Sequence, residues 1–442
     1  MATRAAASTV LLIAAFVAWT TITVPLAARV LQVSVVASML YVAYLAWRGN
    51  RAMRRALEMS LGADHVHDAA APGPFVSLVL PARNEATVIA AAIRALSAQI
   101  YATADGRANY GLVVVDDAST DETDQVARRA VTGAPHVTVI RREVAAGART
   151  KGAVLAHAEP LLRGEVVGVV DADTLVEPTF LRDVARAWRR DPGAAAMQVS
   201  RRPRNADRSW LTAAQAEEQL MDMASQCGRR ATDGTAELRG NGMFVRRQVL
   251  ESIGGWNPRA LTEDLDLSTR LSAAGYHVAL APEATVEEEA VESLSALWHQ
   301  RMRWAEGSLR RLFEHGPGLL AGSQPLARKA DFAAFAAEFV LPPLFATTII
   351  ASLLTIVLPG PADWTVPASL FAGYGLGVFL LALGGLSAVG VRGPALVGRA
   401  LRGALFLSHW LVVVPVALAR IAVGPRPGGF VQTPRFTRGG ES

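Results

Sequence analysis

A chain of 442 residues can hold one large domain or two smaller ones, and its hydrophobic fraction of 51% gathers at both ends, which points to membrane spans rather than an oversized core. Net charge is +5 and almost all of the cations are arginine, yet no aromatic-interleaved basic stripe and no Cys/His zinc spacing occurs, so nucleic acid is not an expected partner. Cys227 is the only cysteine, which excludes an intramolecular disulfide, and Lys151 and Lys329 are the only lysines.

Residues 8–27 and 30–47 are apolar and uncharged. At ~1.5 Å per residue each covers ~30 Å of hydrocarbon, so residues 1–50 read as a transmembrane hairpin. A leader cleaved after Pro25-Leu26-Ala27 is not expected, because a second span follows directly. Arg48, Arg51, Arg54 and Arg55 come next and place the following chain on the cytoplasmic side. Residues 51–74, with His65, His67 and Ala71-Pro72-Gly73-Pro74, read as a linker.

A soluble domain is expected over 75–290. Strands fall at 75–80, 110–115, 137–141 and 165–170, with helical patterns at 121–132, 150–162 and 178–190 between them. Strands alternating with helices of this length specify an α/β fold with a mostly parallel, doubly wound sheet, whose ligands bind beyond the carboxyl ends of the strands. Asp116-Asp117 ends the second strand, where a carboxylate can accept from a uracil N–H or ribose hydroxyls. Ser119 and Thr120 offer a cap for the next helix. Lys151 opens a helix, where it either reaches a phosphate as a point charge or is simply solvated.

The fourth strand runs straight into Asp171-Ala172-Asp173-Thr174. In extended chain Asp171 and Asp173 point the same way. With no Cys or His alongside, they form an oxygen-rich site suited to Mg²⁺ or Mn²⁺ completed by phosphate oxygens. The alternative is two solvated acids opening a turn.

The amphipathic helix at 208–230 reads as packing, with Gln215, Glu217 and Gln219 as a candidate edge of a sugar site. Arg239-Gly240-Asn241-Gly242 permits close approach of the backbone to a ligand. Trp256, after Gly254-Gly255, offers either a flat face for a sugar ring or a core side chain. Thr262-Glu263-Asp264 opens a helix ending at Gly275; Thr262 reads as its cap, and the acids either balance the helix dipole or supply a general base.

Residues 291–336 read as amphipathic interfacial helices, with 293–315 carrying snorkelling arginines and the belt residues Trp298 and Trp304. The membrane region then covers 337–424. Spans are expected at 338–358 and 366–390. The segment 403–423 contains His409, Pro415 and Arg420 and has arginines on both flanks, so it is expected to be interfacial or re-entrant, which keeps the tail 425–442 cytoplasmic.

Four motifs then line up: Asp116-Asp117, the D-x-D of Asp171 and Asp173, Thr262-Glu263-Asp264, and Gln300-Arg301-Met302-Arg303-Trp304 as Q-x-x-R-W. In this order, with Gly254-Gly255-Trp256 before the third, they resemble the membrane-embedded branch of family 2 glycosyltransferases, which contains cellulose, hyaluronan, chitin and poly-N-acetylglucosamine synthases. The resemblance runs from about Phe75 to Gly307. The tail Phe430-Val431-Gln432-Thr433-Pro434-Arg435 is similar to the F-x-V-T-x-K gating loop of cellulose synthases, with Gln432 and Arg435 departing from it. Ala156 stands where the family's K-x-x-A-L-N pattern has Asn.

The resemblance implies a Rossmann-like glycosyltransferase A-type fold, a nucleotide-diphosphate sugar donor such as a UDP-sugar, and inversion at the anomeric carbon. It implies that Asp173 and Asp171 hold the metal, and that Asp116, Asp117, Lys151, Arg303, Thr433 and Arg435 serve the donor. Asp264, with Glu263 beside it, takes the acceptor proton, and Trp304, Gln300 and Trp256 serve the acceptor. The leading expectation is a processive polysaccharide synthase working at the cytoplasmic face of the inner membrane and coupled to export. Few spans are available to line a pore, which favours an oligomer, an accessory export subunit, or single addition to a lipid acceptor. A catalytically inactive membrane scaffold that binds a nucleotide sugar is the reading from another class.

Overall fold

The computed structural model describes residues 2–62, 73–143, 150–357 and 368–424. The chain divides into two compact units. Of the described residues, one contains those up to Ala52, Ala213–Gly234 and those from Ser293 to Gly424; the other contains those within Met53–Thr212 and Thr235–Glu292.

The second unit is built on a seven-stranded sheet: β1 Val76–Ala82, β2 Tyr110–Asp117, β3 Val137–Arg142, β4 Val166–Val169, β5 Ala196–Pro203, β6 Met243–Arg246 and β7 Val278–Glu288. The order is β3-β2-β1-β4-β6-β5-β7. β6 is antiparallel to both neighbours, and every other pairing is parallel. β1, β2 and β4 are apolar and buried on both faces, as parallel strands covered by helices must be. Alternate residues feed two cores. Leu78, Leu80, Leu112 and Val114 pack with the helices Ile89–Ser97 and Phe180–Arg190 on one face. Val79, Val113, Val115 and Val169 pack with Lys151–Ala158 and Glu263–Ala273 on the other.

The four expected strands are all present. β5, β6 and β7 were not expected, and β6 is the strand that makes the sheet mixed. The helix expected over 150–162 ends at Ala158, where Pro160 converts its end to a single 3₁₀ turn.

The first unit is helical: Ala2–Thr23, Pro25–Gly62 as far as Ala52, Trp210–Arg230 from Ala213, Leu294–Ala321, Leu326–Val357, Ala368–Ala388, Gly393–Leu407 and Trp410–Val423. Among the described residues, two stretches are long and apolar enough to cross a membrane, Ala2–Thr20 and Gly393–Val423. The second includes the segment expected to lie in the interface; it is helical on both sides of a break at Ser408-His409. The arginines expected to snorkel from 293–315 include several that turn inward. Arg301, Arg310 and Arg311 are 2%, 7% and 5% exposed: Arg301 pairs with Glu218, Arg310 pairs with Glu306, and Arg311 lies 5.1 Å over the Phe335 ring. Glu217, read as a candidate sugar contact, is fully buried and accepts from Arg402 Nε at 2.7 Å and Arg399 Nε at 3.0 Å.

Candidate active site

The carboxyl ends of β1, β2 and β4 lie along one edge of the sheet because these strands run parallel. Asp116 and Asp117 are the last residues of β2, in register with Arg141 and Arg142 of β3. Asp116 is fully buried; its Oδ2 accepts from Arg141 Nη1 at 2.7 Å, and its Oδ1 has no hydrogen-bond partner. Asp117 accepts from Arg142 Nε at 2.7 Å, with Arg83 at 3.9 Å. Neither acid caps the next helix. Ser119 and Thr120 do not cap it either: Ser119 Oγ accepts the Asn84 N–H, and Asn84 Oδ1 accepts the Thr120 N–H, stitching the loops after β1 and β2 together. The N-cap position is Glu122, which makes no side-chain cap bond; Asp121, one residue earlier, accepts the Thr123 N–H at 3.0 Å. Asn84 and Ala118 both have positive φ, 53° and 49°, so the backbone beside the two acids is held in a conformation that ordinary residues avoid.

Asp171 and Asp173 are brought together differently from the sequence expectation. β4 ends at Val169, and the two acids sit on a turn closed by Thr174 N–H to Asp171 O at 3.0 Å, rather than alternating along extended chain. Asp171 is 38% exposed at its side chain and Asp173 is 9% exposed. Lys151 does not project as a free phosphate ligand. Its Nζ donates to Asp171 Oδ1 at 2.6 Å and to Gly240 O at 3.0 Å, and it lies 3.2 Å from Glu263 Oε1. Burial works against its charge, but Asp171 and Glu263 outweigh burial and raise its pKa. One lysine therefore ties the D-x-D turn to the helix Glu263–Ala273. The helix Lys151–Ala158 that carries it is capped by Thr150, whose Oγ1 accepts the Ala153 N–H.

Thr262 occupies the N-cap position of the helix Glu263–Ala273 but makes no side-chain cap bond; its carbonyl accepts the Asp266 N–H at 3.1 Å. Of the three acids in the first turn, Asp266 is taken up by Arg270 at 2.8 Å and Asn257 at 2.9 Å. Glu263 faces Lys151, and Asp264 Oδ1 accepts the Leu265 N–H at 2.8 Å. Burial pushes the Asp264 carboxyl up, against Leu265 N–H and the charges of Lys151, Arg239 and Arg201. Burial also raises Glu263, against Lys151 and with help from Asp264. A raised carboxylate pKa suits a group that must take up a proton near neutral pH.

The segment Arg239-Gly240-Asn241-Gly242 crosses the end of β4. Gly240 and Gly242 have φ of 81° and 67°. Their closeness is to the protein itself: a Cβ on Gly242 would meet Val199 Cγ2 at 2.3 Å, and one on Gly240 would meet Asp264 Oδ2 at 3.1 Å. Asn241, Glu288 and Arg201 complete this edge; Glu288 and Arg201 were not singled out in the sequence, and Asn241 entered only as part of the glycine segment. Their one signal there is an Asn between two glycines.

Trp256 is placed elsewhere. It is 3% exposed in the apolar cluster with Leu155, Leu250 and Leu267, so it is a core side chain rather than a platform for a sugar. Gln300, Arg303 and Trp304 lie on the helix Leu294–Ala321 of the first unit, where Arg301 stacks 4.1 Å over the Trp304 ring and donates to Gln300 at 3.2 Å. Thr433 and Arg435 fall outside the described residues. Among the described residues no three His, Cys, Asp or Glu side chains converge as an all-protein metal cage. The donor set of Asp171 and Asp173 fits a Mg²⁺ or Mn²⁺ whose other positions are filled by phosphate oxygens and water.

Residues 72–307 match the family model of glycosyltransferase-like family 2. The chain is 33% identical over 368 residues to a beta-monoglucosyldiacylglycerol synthase of Synechocystis sp., covering 82% of this chain and 75% of that protein. To poly-beta-1,6-N-acetyl-D-glucosamine synthase of Staphylococcus aureus it is 26% identical over 201 residues, 44% of this chain and 47% of that protein. Among solved structures it resembles the mannosyltransferase PcManGT from Pyrobaculum calidifontis, determined in complex with GDP-Man and Mn²⁺, with a TM-score of 0.58 at 21% identity over 90% of this chain and 99% of that one. The sheet and its flanking helices are the glycosyltransferase A-type fold.

Proposed function

The chain belongs to glycosyltransferase-like family 2, and from that premise we propose that it transfers one sugar from a nucleotide-diphosphate sugar, a UDP-sugar first, to the hydroxyl of a lipid acceptor. The observation that carries the chemistry is the Lys151 bridge, which puts the acids suited to a metal–diphosphate and the acids suited to base catalysis at one sheet edge. Single addition to a lipid takes precedence over the expected processive synthesis. A relative named for making glucosyldiacylglycerol matches over 82% of the chain, against 44% for the polysaccharide synthase.

In this reading the acceptor oxygen bonds to the anomeric carbon as the bond to the diphosphate breaks, and attack from the opposite face inverts that carbon. Asp264 takes the acceptor's proton, worth ~10²–10⁴ in rate. Glu263, held by Lys151, fixes the base helix against the D-x-D turn. Asp173 and Asp171 would hold Mg²⁺ or Mn²⁺, which would supply stabilisation of the charge on the leaving diphosphate. Asp117 and Asp116 serve the nucleoside; Arg303, Thr433 and Arg435 serve the diphosphate; Gln300 and Trp304 serve the acceptor. The transfer takes place at the cytoplasmic face of the inner membrane, the side to which Arg48, Arg51, Arg54 and Arg55 assign the chain that follows them.

The experiment is incubation of purified protein with radiolabelled UDP- and GDP-sugars and either diacylglycerol or an oligosaccharide, with products sized by mass spectrometry. A single-sugar glycolipid is expected. A polymer ladder would restore the processive reading, and donor binding without any transfer would favour the inactive scaffold.

A further inference from the structure

Asn241 is 1% exposed, and its side-chain amide is fully directed. Oδ1 accepts the backbone N–H of Asp171 at 3.1 Å and the hydroxyl of Thr174 at 3.0 Å. One oxygen therefore holds the first and the last residue of the D-x-D turn. Nδ2 donates to Glu288 Oε2 at 2.9 Å. Glu288, the last residue of β7, also accepts from Arg201 Nη2 at 2.6 Å and Nε at 3.1 Å. An ionised carboxylate only accepts, so Glu288 dictates which end of the amide faces it and leaves the oxygen for the turn. The turn's exit is fixed to the same strand by two backbone hydrogen bonds of 2.9 Å between Leu175 and Glu287.

We propose that Asn241 is a positioning residue for the metal–diphosphate turn, with its amide oriented by the Glu288–Arg201 pair. The inference rests on reading Asp171 and Asp173 as the acids that bind a divalent metal with the nucleotide diphosphate. Asn241 touches no reacting atom; it sets where the two carboxylates stand. A buried Asn that merely filled a gap would not need a particular orientation, and that difference can be measured.

The test exchanges the polarity of the pair at constant net charge. Asn241→Asp keeps the oxygen for Asp171 and Thr174 but sets an acceptor against Glu288. Glu288→Gln on that background returns the missing hydrogen and leaves an oxygen for Arg201. Affinity for UDP with Mn²⁺ is read by titration calorimetry, and free Mn²⁺ by electron paramagnetic resonance, with thermal melts run beside them. The single variant is expected to bind UDP with Mn²⁺ roughly 10–100-fold more weakly. The double variant is expected to return to within about threefold of wild type. Thr174→Val, nearly isosteric, removes one of the two turn contacts and is expected to weaken binding about fivefold.

A folded Asn241→Asp protein with wild-type affinity overturns the inference, as does a folded double variant that stays as weak as the single. If Asn241→Asp fails to fold, the double variant and Thr174→Val decide: restored binding in the first with weakened binding in the second supports the inference, and the reverse overturns it. Wild type that binds neither UDP nor GDP with Mn²⁺ overturns the proposed function together with this inference, whereas wild-type binding with indifferent variants overturns the inference alone.

Discussion

Gly240 and Asp264 stand against each other at the sheet edge, with Asp264 Oδ2 only 3.1 Å from where a β-carbon on Gly240 would be. The backbone strip is thus a wall for the proposed base, and the position tolerates no side chain that would push the carboxylate away. Asp264→Asn keeps shape and the Leu265 contact but cannot take a proton. Transfer is expected to fall at least ~10²-fold with affinity for the nucleotide retained, as read by single-turnover kinetics beside calorimetry. Collapse of nucleotide affinity would make Asp264 a binding residue and move the base to Glu263.

Burial raises the pKa of both Asp264 and Glu263. The base works only when unprotonated, so kcat/KM is expected to fall as pH drops through this raised pKa. The acid limb then lies above the ~3.9 of an ordinary aspartate and belongs to the Glu263–Asp264 pair. A pH–rate profile checks it, and the residual rate of Asp264→Asn is expected to lack that limb.

Asp173 lies on the turn after β4, outside the strand pairing. Asp173→Ala is expected to abolish transfer with a circular dichroism spectrum and melting curve close to wild type. EDTA is expected to abolish wild-type activity, and Mg²⁺ or Mn²⁺ to restore it. Full turnover in either condition would sink the metal assignment.

Trp256 belongs to the core that includes Leu155 and Leu267. Trp256→Phe is expected to lower stability by ~1–2 kcal/mol in urea unfolding, through lost packing volume. The acceptor KM is expected to stay within about twofold of wild type, since no sugar face is lost. A raised KM at unchanged stability would return Trp256 to the acceptor site.

β1, β2 and β4 were legible because an apolar run buried on both faces has few other readings, and the acids that end β2 and follow β4 marked the functional edge. β5 and β7 escaped because their signals are mixed: Gln198 and Ser200 are buried polar residues, and Pro282 lies in β7, where the register with β5 shifts. β6 has four residues, too few to declare a strand. Within the site, the types of residue were readable but their partners were not. Lys151 meets Asp171 from 20 positions away, and Asn241 meets it from 70, across a sheet whose order no local pattern reveals. Trp256 was misplaced for a related reason: two glycines before a Trp look like an exposed turn until the helix Glu263–Ala273 is seen covering it.

The helix Trp210–Arg230 lies in the chain between β5 and β6, yet from Ala213 onward it belongs to the other unit. Because β5 and β6 are hydrogen-bonded neighbours, a ribosome must deliver that helix before the sheet can close. The catalytic unit is therefore no portable cassette. Excised as 53–292, it would carry Gly228 without the Leu45 carbonyl, which lies 2.3 Å from where a Gly228 β-carbon would be, and Met221 without the Gly385 that packs against it. Swapping donor specificity between relatives by exchanging this stretch would require moving the helices that pack against 213–234 too, so specificity is expected to change through point substitutions at the sheet edge.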